Sequence, residues 1–447
     1  MAFPDGFVWG VASSAYQIEG AWDQDGRGMS VWDAFVRRPF HIVDGSTGDV
    51  ACDHYRRMPD DVALMGSLGI GAYRFSIAWP RILPSGRGPV NEAGRDFYDR
   101  LVDHQLAAGI APVATLNHWD LPLALEASGG WRDRETVGAF VDYAGIMFDR
   151  LGDRVATWLT HNEPWCQAFL GHATGHHAPG GCDWSDGYQV AHHLLLAHGR
   201  AVQRFRATGA GGRIGIALNP QWYVPASDSE ADVAACDRVR SNSVDLFLDP
   251  IVHGRYPAAL MDWIGRHAPD IRPGDLEDIR QPLDLLGVNY YNAESISFDV
   301  DGSLLKARAE PRSDPGWGRT TMGWGIAPSG LTAVLSGLHE QYPGLPMMIT
   351  ENGCALTEQP DPAGAYDDRA RIDYLRAHIL AIGTALDRGV DVRGYLVWTL
   401  LDNFEWAFGY TKTFGLVAVE SGTLRRIPKA SATWYSTVAR ANGSSLV

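Results

Sequence analysis

Short apolar runs rich in β-branched and aromatic residues alternate with longer amphipathic stretches along the chain. The short runs predict eight strands, at residues 7–12, 72–77, 111–116, 157–162, 213–218, 285–290, 347–352 and 394–399. The longer stretches predict helices, for example at 54–68, 95–109, 134–150, 187–206, 331–342 and 367–388. Three of these helices end just before a strand at Leu68-Gly69, Ala108-Gly109 and Arg388-Gly389, as expected where glycine follows a helix C-terminus.

Eight alternations of strand and helix predict a parallel sheet covered by helices, and a closed (β/α)₈ TIM barrel formed by one domain, 1–447, accounts for all of them. An open doubly wound sheet is the competing architecture. It requires a glycine-rich phosphate-binding turn after an early strand, but residues 13–17 read Ser-Ser-Ala-Tyr-Gln and no P-loop occurs. In a barrel, the long connections 171–187 and 291–330 belong to the active-site face.

Charge and cysteine content exclude several classes of protein. The formal net charge of −15 disfavours nucleic acid and anionic membranes as partners. Five cysteines without a CxxC pair predict neither a disulfide framework nor a zinc site. The first residues do not resemble a signal peptide and no apolar run reaches 18 residues, so we expect a soluble, cytoplasmic protein. The oligomeric state is not predicted.

The predicted strand ends are rich in polar and aromatic residues. In a barrel these ends meet at one face, so their side chains surround a common pocket. Amide and carboxyl groups bind sugar hydroxyls, and indole rings pack on the apolar faces of a sugar ring. The pattern therefore predicts a carbohydrate site. Its candidates are Gln17, His118, Trp119, Asn162, Glu163, Trp165, Asn289, Tyr291, Glu351, Trp398, Glu405 and Trp406.

Two glutamates are candidates for the chemistry. Glu163 follows a strand and an asparagine, and Glu351 ends an apolar strand, where a charge is costly without a partner or a function. Hydrolysis of a glycosidic bond needs one carboxyl group as acid/base and a second as nucleophile or base. A structural ion pair, for instance with Arg74, is the alternative explanation for either glutamate alone.

Two segments, Thr160-His161-Asn162-Glu163-Pro164-Trp165 and Ile349-Thr350-Glu351-Asn352-Gly353, resemble the two signatures of glycoside hydrolase family 1, the β-glucosidase family. Further segments extend the resemblance in order from residue 3 to about residue 435. They are 7–10, 14–20, 73–81, 118–122, 289–291, 322–324, 402–406, 414–416 and 428–429.

The resemblance implies a TIM barrel and a retaining β-glucosidase that uses neither cofactor nor metal. By the matching motifs, Glu163 is the acid/base and Glu351 the nucleophile. Tyr291 and Asn289 are expected to flank Glu351, with Tyr291 hydrogen-bonded to it. The other implied substrate-binding residues are Gln17, His118, Trp119, Asn162, Trp324, Trp398, Glu405, Trp406 and Phe414, with Arg74 and Trp165 in support. Trp398 forms the stacking floor, and Trp165 and Trp324 shape the leaving-group side.

The implied mechanism makes physical predictions. Glu163 must hold a proton near neutral pH, so we expect a raised pKa, whereas Glu351 should stay ionised beside Arg74. A retaining enzyme also requires carboxyl groups about 5–5.5 Å apart. A carboxyl group at Glu405 would repel a 6-phosphate, so the implied substrates are unphosphorylated. They are cellobiose, short β-glucans and aryl β-glucosides, with β-fucosides and β-galactosides tolerated.

Two other functions remain open: a transglycosylating β-glycosidase and a catalytically inactive sugar-binding barrel. The presence of both glutamates argues against the second. Cys166 and Cys354 lie near the glutamates in sequence and are interpreted as small apolar filler. His176 and His177 look like a metal-binding pair but lack a carboxylate at ligand spacing, so no metal site is expected.

Overall fold

The computed structural model describes residues 3–209 and 211–446. Eight parallel strands close into a barrel, and Trp9 of the first strand lies opposite Tyr395 of the last. The strands, here numbered along the chain, are β1 Val8–Ala12, β2 Ala72–Ser76, β3 Ala111–Asn117, β4 Thr157–Asn162, β5 Arg213–Leu218, β6 Leu285–Asn289, β7 Met347–Asn352 and β8 Val392–Trp398. The predicted barrel is confirmed, and the open doubly wound sheet is excluded.

Helices occupy the connections between the strands. The predicted helices lie at His54–Ser67, Glu92–Ala107, Glu135–Leu151, Trp184–Thr208, Pro328–Gln341 and Arg369–Asp387. Further helices are Ala15–Ile18, Val31–Phe35, Trp79–Ile82, Leu123–Glu126, Glu230–Arg240, Leu246–His253, Ala258–Ile264, Asp275–Ile279 and Ala430–Arg440. Gly69, Gly109 and Gly389 have φ of +69°, +73° and +86°, which confirms the glycine helix ends. No helix in the described ranges has the length and apolarity needed to cross a bilayer.

The barrel strands are buried almost throughout, as expected of parallel strands covered on both faces. The close approach of two strand ends is visible at Gly353, which directly follows β7. A Cβ atom there would lie 1.8 Å from the carbonyl oxygen of Trp398 at the end of β8. Only glycine is therefore compatible with this backbone contact, which joins the strand of Glu351 to the strand of Trp398.

A three-stranded sheet outside the barrel was not predicted. It consists of Trp222–Pro225, Ala293–Phe298 and Ala307–Arg312, which belong to the connections after β5 and β6. The sequence predicted a connection over 291–330, because its strands are short and polar; in the structure these strands are only partly buried. The other long connection, 171–187, also contains regular structure. A π-helical segment spans Cys166–Ala173, and the following helix begins at Trp184.

Candidate active site

A pocket of about 550 Å³ lies where the barrel strands end. Its walls include twelve of the residues predicted from the sequence: His118, Trp119, Asn162, Glu163, Trp165, Tyr291, Trp324, Glu351, Trp398, Glu405, Trp406 and Phe414. Gln17, Arg74 and Asn289 do not line the pocket. They lie behind it and hydrogen-bond to side chains that do. The structure thus brings all the predicted site residues together.

Both carboxylate oxygens of Glu351 are hydrogen-bonded within the protein. Arg74 Nη1 donates to Oε1 at 2.5 Å, and the Tyr291 hydroxyl donates to Oε2 at 2.6 Å. Burial raises the pKa of Glu351, and the Arg74 guanidinium and the Tyr291 hydroxyl oppose that rise because they favour the charged form. The expected contacts of Glu351 with Arg74 and Tyr291 are both present.

Glu163 has a different environment, since no cation hydrogen-bonds to it among the described residues. Its Oε1 accepts from Asn289 Nδ2 at 2.7 Å, and its Oε2 accepts from Cys166 Sγ at 3.1 Å. Burial, followed by repulsion from Glu351, raises the pKa of Glu163 to about 7. The direction matches the sequence-based prediction. Glu163 also has φ +44°, a left-handed conformation that is uncommon for residues other than glycine and is often found at functional sites.

The neighbours of these glutamates differ only in part from the expectation. Asn289 lies opposite Glu351 in the register of β6 and β7, as expected, and its amide also donates to the acid/base candidate Glu163. Cys166 was interpreted as apolar filler, but its thiol contacts the Glu163 carboxyl group. The chain becomes helical directly after Glu163, with Cys166 N–H donating to the Glu163 carbonyl at 2.9 Å. This turn places residue 166 over residue 163. The three-residue spacing in the sequence could therefore have predicted the contact between Cys166 and Glu163.

Asn162 links the two glutamates. Its Oδ1 accepts from Arg74 Nη2 at 2.6 Å and from Asn289 Nδ2 at 3.0 Å. Its Nδ2 donates to His118 Nε2 at 3.1 Å, which assigns the ring proton of a neutral His118 to Nδ1. Burial and then the charge of Arg74 lower the pKa of His118 well below its ordinary value, so the imidazole is neutral.

Glu405 and Gln17 form a polar pair on another side of the pocket. Gln17 Nε2 lies 3.4 Å from Glu405 Oε2 and donates to the carbonyl of Phe404 at 2.9 Å, while its Oε1 accepts from Ser14 Oγ at 2.6 Å. The glutamine is therefore held in one orientation. Burial and the nearby charges of Glu351 and Glu163 raise the pKa of Glu405 to about 8.

Aromatic rings form flat surfaces in the pocket. Trp406 lies between Trp119 and Trp32, with ring centroids 4.6 Å away from each. His118 stacks on Trp398 at 5.9 Å and on Trp406 at 6.0 Å. A second aromatic group, Tyr291, Trp324 and Phe414, packs with centroids 5.3–6.2 Å apart. Rigid indoles beside fixed hydrogen-bonding groups are suited to a pyranose ring.

One wall of the pocket was not predicted from the sequence. The leaving-group side was expected at Trp165 and Trp324, but the three-stranded sheet and its neighbours also line the pocket. These additional lining residues are Asn219, Gln221, Tyr223, Asn242, Ser243, Asn292, Glu294, Leu305, Ala307 and Ala309. The only feature of the sequence that indicates this wall is a polar segment, Asn219-Pro220-Gln221, directly after β5.

No arrangement suited to a metal ion is found in residues 3–209 and 211–446. His177 packs its buried ring against Trp32 and Trp119, and His176 contacts the hydroxyl of Thr174. The histidine pair therefore supports the pocket wall and a turn. All five cysteines are unpaired, and among them only Cys182 is exposed.

Comparison with known proteins agrees with this geometry. The family model of glycosyl hydrolase family 1 matches residues 1–444. The chain belongs to glycosyl hydrolase family 1. Beta-glucosidase A of Thermotoga maritima is 45% identical over 442 residues, which cover 99% of this chain and 98% of that protein. Thermostable beta-glucosidase B of Thermobispora bispora is 47% identical over 451 residues, which cover 99% and 92%.

A solved family 1 structure shares the whole fold. The beta-glucosidase from Thermotoga maritima in complex with glucoimidazole superposes with a TM-score of 0.96 at 45% identity, covering 99% of each chain. The family resemblance and the TIM barrel predicted from the sequence are therefore confirmed. So is the prediction of a glycoside hydrolase of the β-glucosidase type.

Proposed function

We propose that this family 1 enzyme releases terminal β-D-glucosyl residues with retention of configuration, and that Glu351 and Glu163 are its catalytic pair. The observation that carries the proposal is the difference between their environments. Arg74 and Tyr291 donate to Glu351 and favour its charged form, whereas Glu163 receives only neutral donors and has a pKa raised to about 7. One group is prepared as a nucleophile and the other as an acid.

In the first step, Glu351 attacks the anomeric carbon of the glucosyl residue. The bond from that carbon to the glycosidic oxygen breaks, and its electron pair leaves with the oxygen. Glu163 transfers its proton to this oxygen, so the leaving group departs as a neutral alcohol. The protein then holds a glucosyl ester on Glu351 and a carboxylate on Glu163.

In the second step, Glu163 acts as a base. Esterification removes the charge of Glu351, which is the second cause of the raised Glu163 pKa, so the pKa of Glu163 falls at this stage. Glu163 takes a proton from water, the water oxygen bonds to the anomeric carbon, and the ester bond to Glu351 breaks. The product is β-glucose, and both carboxyl groups return to their starting forms.

The remaining predicted residues are proposed to bind the glucosyl residue. Gln17, His118, Asn162, Glu405 and Trp406 supply polar groups to its hydroxyls, and Trp398 supplies the stacking surface with Trp119 and Phe414 nearby. Asn289 and Tyr291 orient the two glutamates, while Trp165 and Trp324 border the leaving group. The Thermotoga maritima relative, solved with glucoimidazole and with deoxynojirimycin, supports a small sugar as ligand.

We further propose that the chain is a single catalytic domain that acts in the cytoplasm on glucosides such as those from cellulose degradation. Five unpaired cysteines support a reducing compartment. The net charge of −15 supports small molecules, rather than nucleic acid or an anionic membrane, as partners.

The test is turnover of four nitrophenyl glycosides: β-glucoside, β-fucoside, β-galactoside and 6-phospho-β-glucoside. Glu351→Gln is compared with Glu340→Gln, an exposed glutamate on the helix Pro328–Gln341. We expect rapid hydrolysis of the glucoside and fucoside, little of the phosphorylated substrate, and loss of activity only in Glu351→Gln. NMR spectra taken in the first minutes should show β-glucose as the first product.

Other results distinguish the alternatives. Sugar binding without turnover of any glycoside by the wild-type chain would establish an inactive binding barrel. Transfer to added cellobiose exceeding release of glucose at low acceptor concentration would establish a transglycosylase. α-Glucose as the first product would exclude the retaining mechanism.

A further inference from the structure

The leaving-group end of the pocket has a polar wall formed by the three-stranded sheet. Tyr223 and Glu294 lie opposite each other in the register of its two parallel strands, and both line the pocket. On the third strand, Ala307 and Ala309 also line the pocket. Side chains alternate between the two faces of a sheet, so Glu310 lies on the other face, exposed and paired with Arg308.

Glu294 has unused capacity to accept hydrogen bonds. Within residues 3–209 and 211–446 its one donor is Asn292 Nδ2, 3.3 Å from Oε1, whereas a carboxylate offers about four acceptor sites. No lysine, arginine or histidine among the described residues lies within ion-pair distance of it. Burial raises its pKa, which reports the cost of holding this carboxyl group away from water. A ligand that supplies donors would reduce this cost.

The neighbouring amides position the wall. Gln221 Nε2 donates to the carbonyl of Asn219 at 3.2 Å, and Gln221 Oε1 accepts from the backbone N–H of Asn292 at 3.0 Å. Asn292, held in this way, is the residue that donates to Glu294. The Glu294 carboxyl group therefore lines the pocket beside residues that hydrogen bonds hold in place.

The other side chains at this end of the pocket are largely apolar, among them Trp165, Leu170, Met322 and Trp324. An acceptor beside an apolar surface matches a second pyranose ring, which has C–H faces and hydroxyl groups on its edges. A nitrophenyl group can contact the apolar surface but offers no donor to the carboxyl group.

We propose that Glu294 is a specificity-determining residue for the leaving group, accepting hydrogen bonds from the hydroxyls of a second sugar and thereby favouring disaccharides over aryl glucosides. This inference rests on the proposed glucosidase function. Glu294 takes no part in bond making or breaking, because the catalytic glutamates complete the reaction without it.

The test compares kcat/KM for cellobiose with kcat/KM for nitrophenyl β-glucoside. Both substrates give the same glucosyl-enzyme, so a change in their ratio reports only the leaving-group side. Glu294→Leu removes the acceptor at similar volume, and Glu294→Gln removes the charge but keeps an acceptor. Glu310→Gln is the matched control, with the same chemical change on the solvent face of the same sheet.

We expect Glu294→Leu to lower the ratio about 10-fold or more, since a hydrogen bond to a charged group is lost. Glu294→Gln should lower it less, and Glu310→Gln should leave it unchanged. Retained hydrolysis of the nitrophenyl substrate shows that each variant is folded. An unchanged ratio in Glu294→Leu, or an equal loss on both substrates, overturns the inference. If the wild-type chain hydrolyses neither substrate, the proposed function fails instead.

Discussion

The thiol of Cys166 lies 3.1 Å from Oε2 of Glu163, the proposed acid/base. Asn219 Nδ2, 3.6 Å from the sulfur, donates to it. The sulfur must therefore point its proton at the carboxyl group, which favours the ionised form of Glu163. Burial and the adjacent Glu163 raise the pKa of the thiol well above its ordinary value, so Cys166 remains protonated as a donor.

This contact predicts a shift in pH dependence. Cys166→Ala removes a donor to the carboxylate and so raises the pKa of Glu163. General-acid catalysis requires the protonated form, so the alkaline limb of kcat/KM should move to higher pH by several tenths of a unit, as a weak hydrogen bond implies. Cys166→Ser, which keeps a donor, should not show this upward shift. The control is Cys236→Ala, a buried cysteine outside the pocket. A downward shift in Cys166→Ala would contradict the assignment.

If Glu163 donates a proton to the leaving group, the decrease in activity on its removal should depend on which group leaves. Glu163→Ala should lower kcat/KM for cellobiose by about 10²–10⁴-fold, the usual contribution of general acid catalysis. Dinitrophenyl β-glucoside should be affected far less, because dinitrophenolate leaves without a proton. Glu340→Ala, at an exposed glutamate, is the control. Equal losses on both substrates would show that Glu163 supports the structure of the site and does not transfer a proton to the leaving group.

Arg74 contacts two partners that a lysine cannot reach together. Its Nη1 and Nη2 donate to Glu351 and Asn162, while the lysine ammonium is a single point charge. Arg74→Lys should therefore raise the pKa of Glu351, move the acidic limb of kcat/KM to higher pH, and lower kcat about 10- to 100-fold. Arg308→Lys, at an exposed ion pair, is the control. If Arg74→Lys is active and its acidic limb stays at the wild-type position, Arg74 does not control the ionisation of Glu351.

Glu405 predicts how stability depends on pH. Its pKa is about 8 in the folded protein, against an ordinary value of 4.5. Between these pH values the folded state keeps a proton that the unfolded chain has lost, so the contribution of Glu405 to the free energy of unfolding falls as the pH rises from 4.5 to 8.

Glu405→Gln removes this dependence. At pH 8 it should add about 1–3 kcal/mol to the free energy of unfolding, the cost of an incompletely satisfied buried polar group, and much less at pH 5. Calorimetric scans at one heating rate should therefore show a clearly larger increase in apparent Tm for the variant at pH 8 than at pH 5. Glu340→Gln serves as the surface control, and an equal Tm difference at both pH values would refute the prediction.

The barrel could be predicted from the sequence because each strand is an apolar run between recognisable helix ends. The predicted strands agree with the structure to within two residues, as at β8, where 394–399 was expected and Val392–Trp398 is observed. Burial on both faces makes such strands continuously apolar. The sheet containing Ala293–Phe298 and Ala307–Arg312 has no such pattern, because its strands are half exposed and carry charges.

The site was predictable where a residue type carries chemistry at the end of a strand, as for Glu163 and Glu351. Contacts between side chains from different elements were harder to predict. The donation from Asn289 to Glu163 depends on how β4 and β6 are placed around the closed barrel, which the sequence of either strand does not reveal. The sequence did not indicate a place for Glu294 in the site, since a lone glutamate on a polar strand usually lies on the solvated surface.

The backbone contact between Gly353 and Trp398 ties the strand of the nucleophile to the strand of the stacking residue, while the three-stranded sheet belongs to connections outside the barrel. The proposed catalytic glutamates thus lie at the ends of barrel strands, whereas Glu294 and its neighbours in the sheet lie on separate connections. Exchange of the segments 222–225, 293–298 and 307–312 between relatives should therefore transfer preference for the departing group while leaving the reacting centre intact.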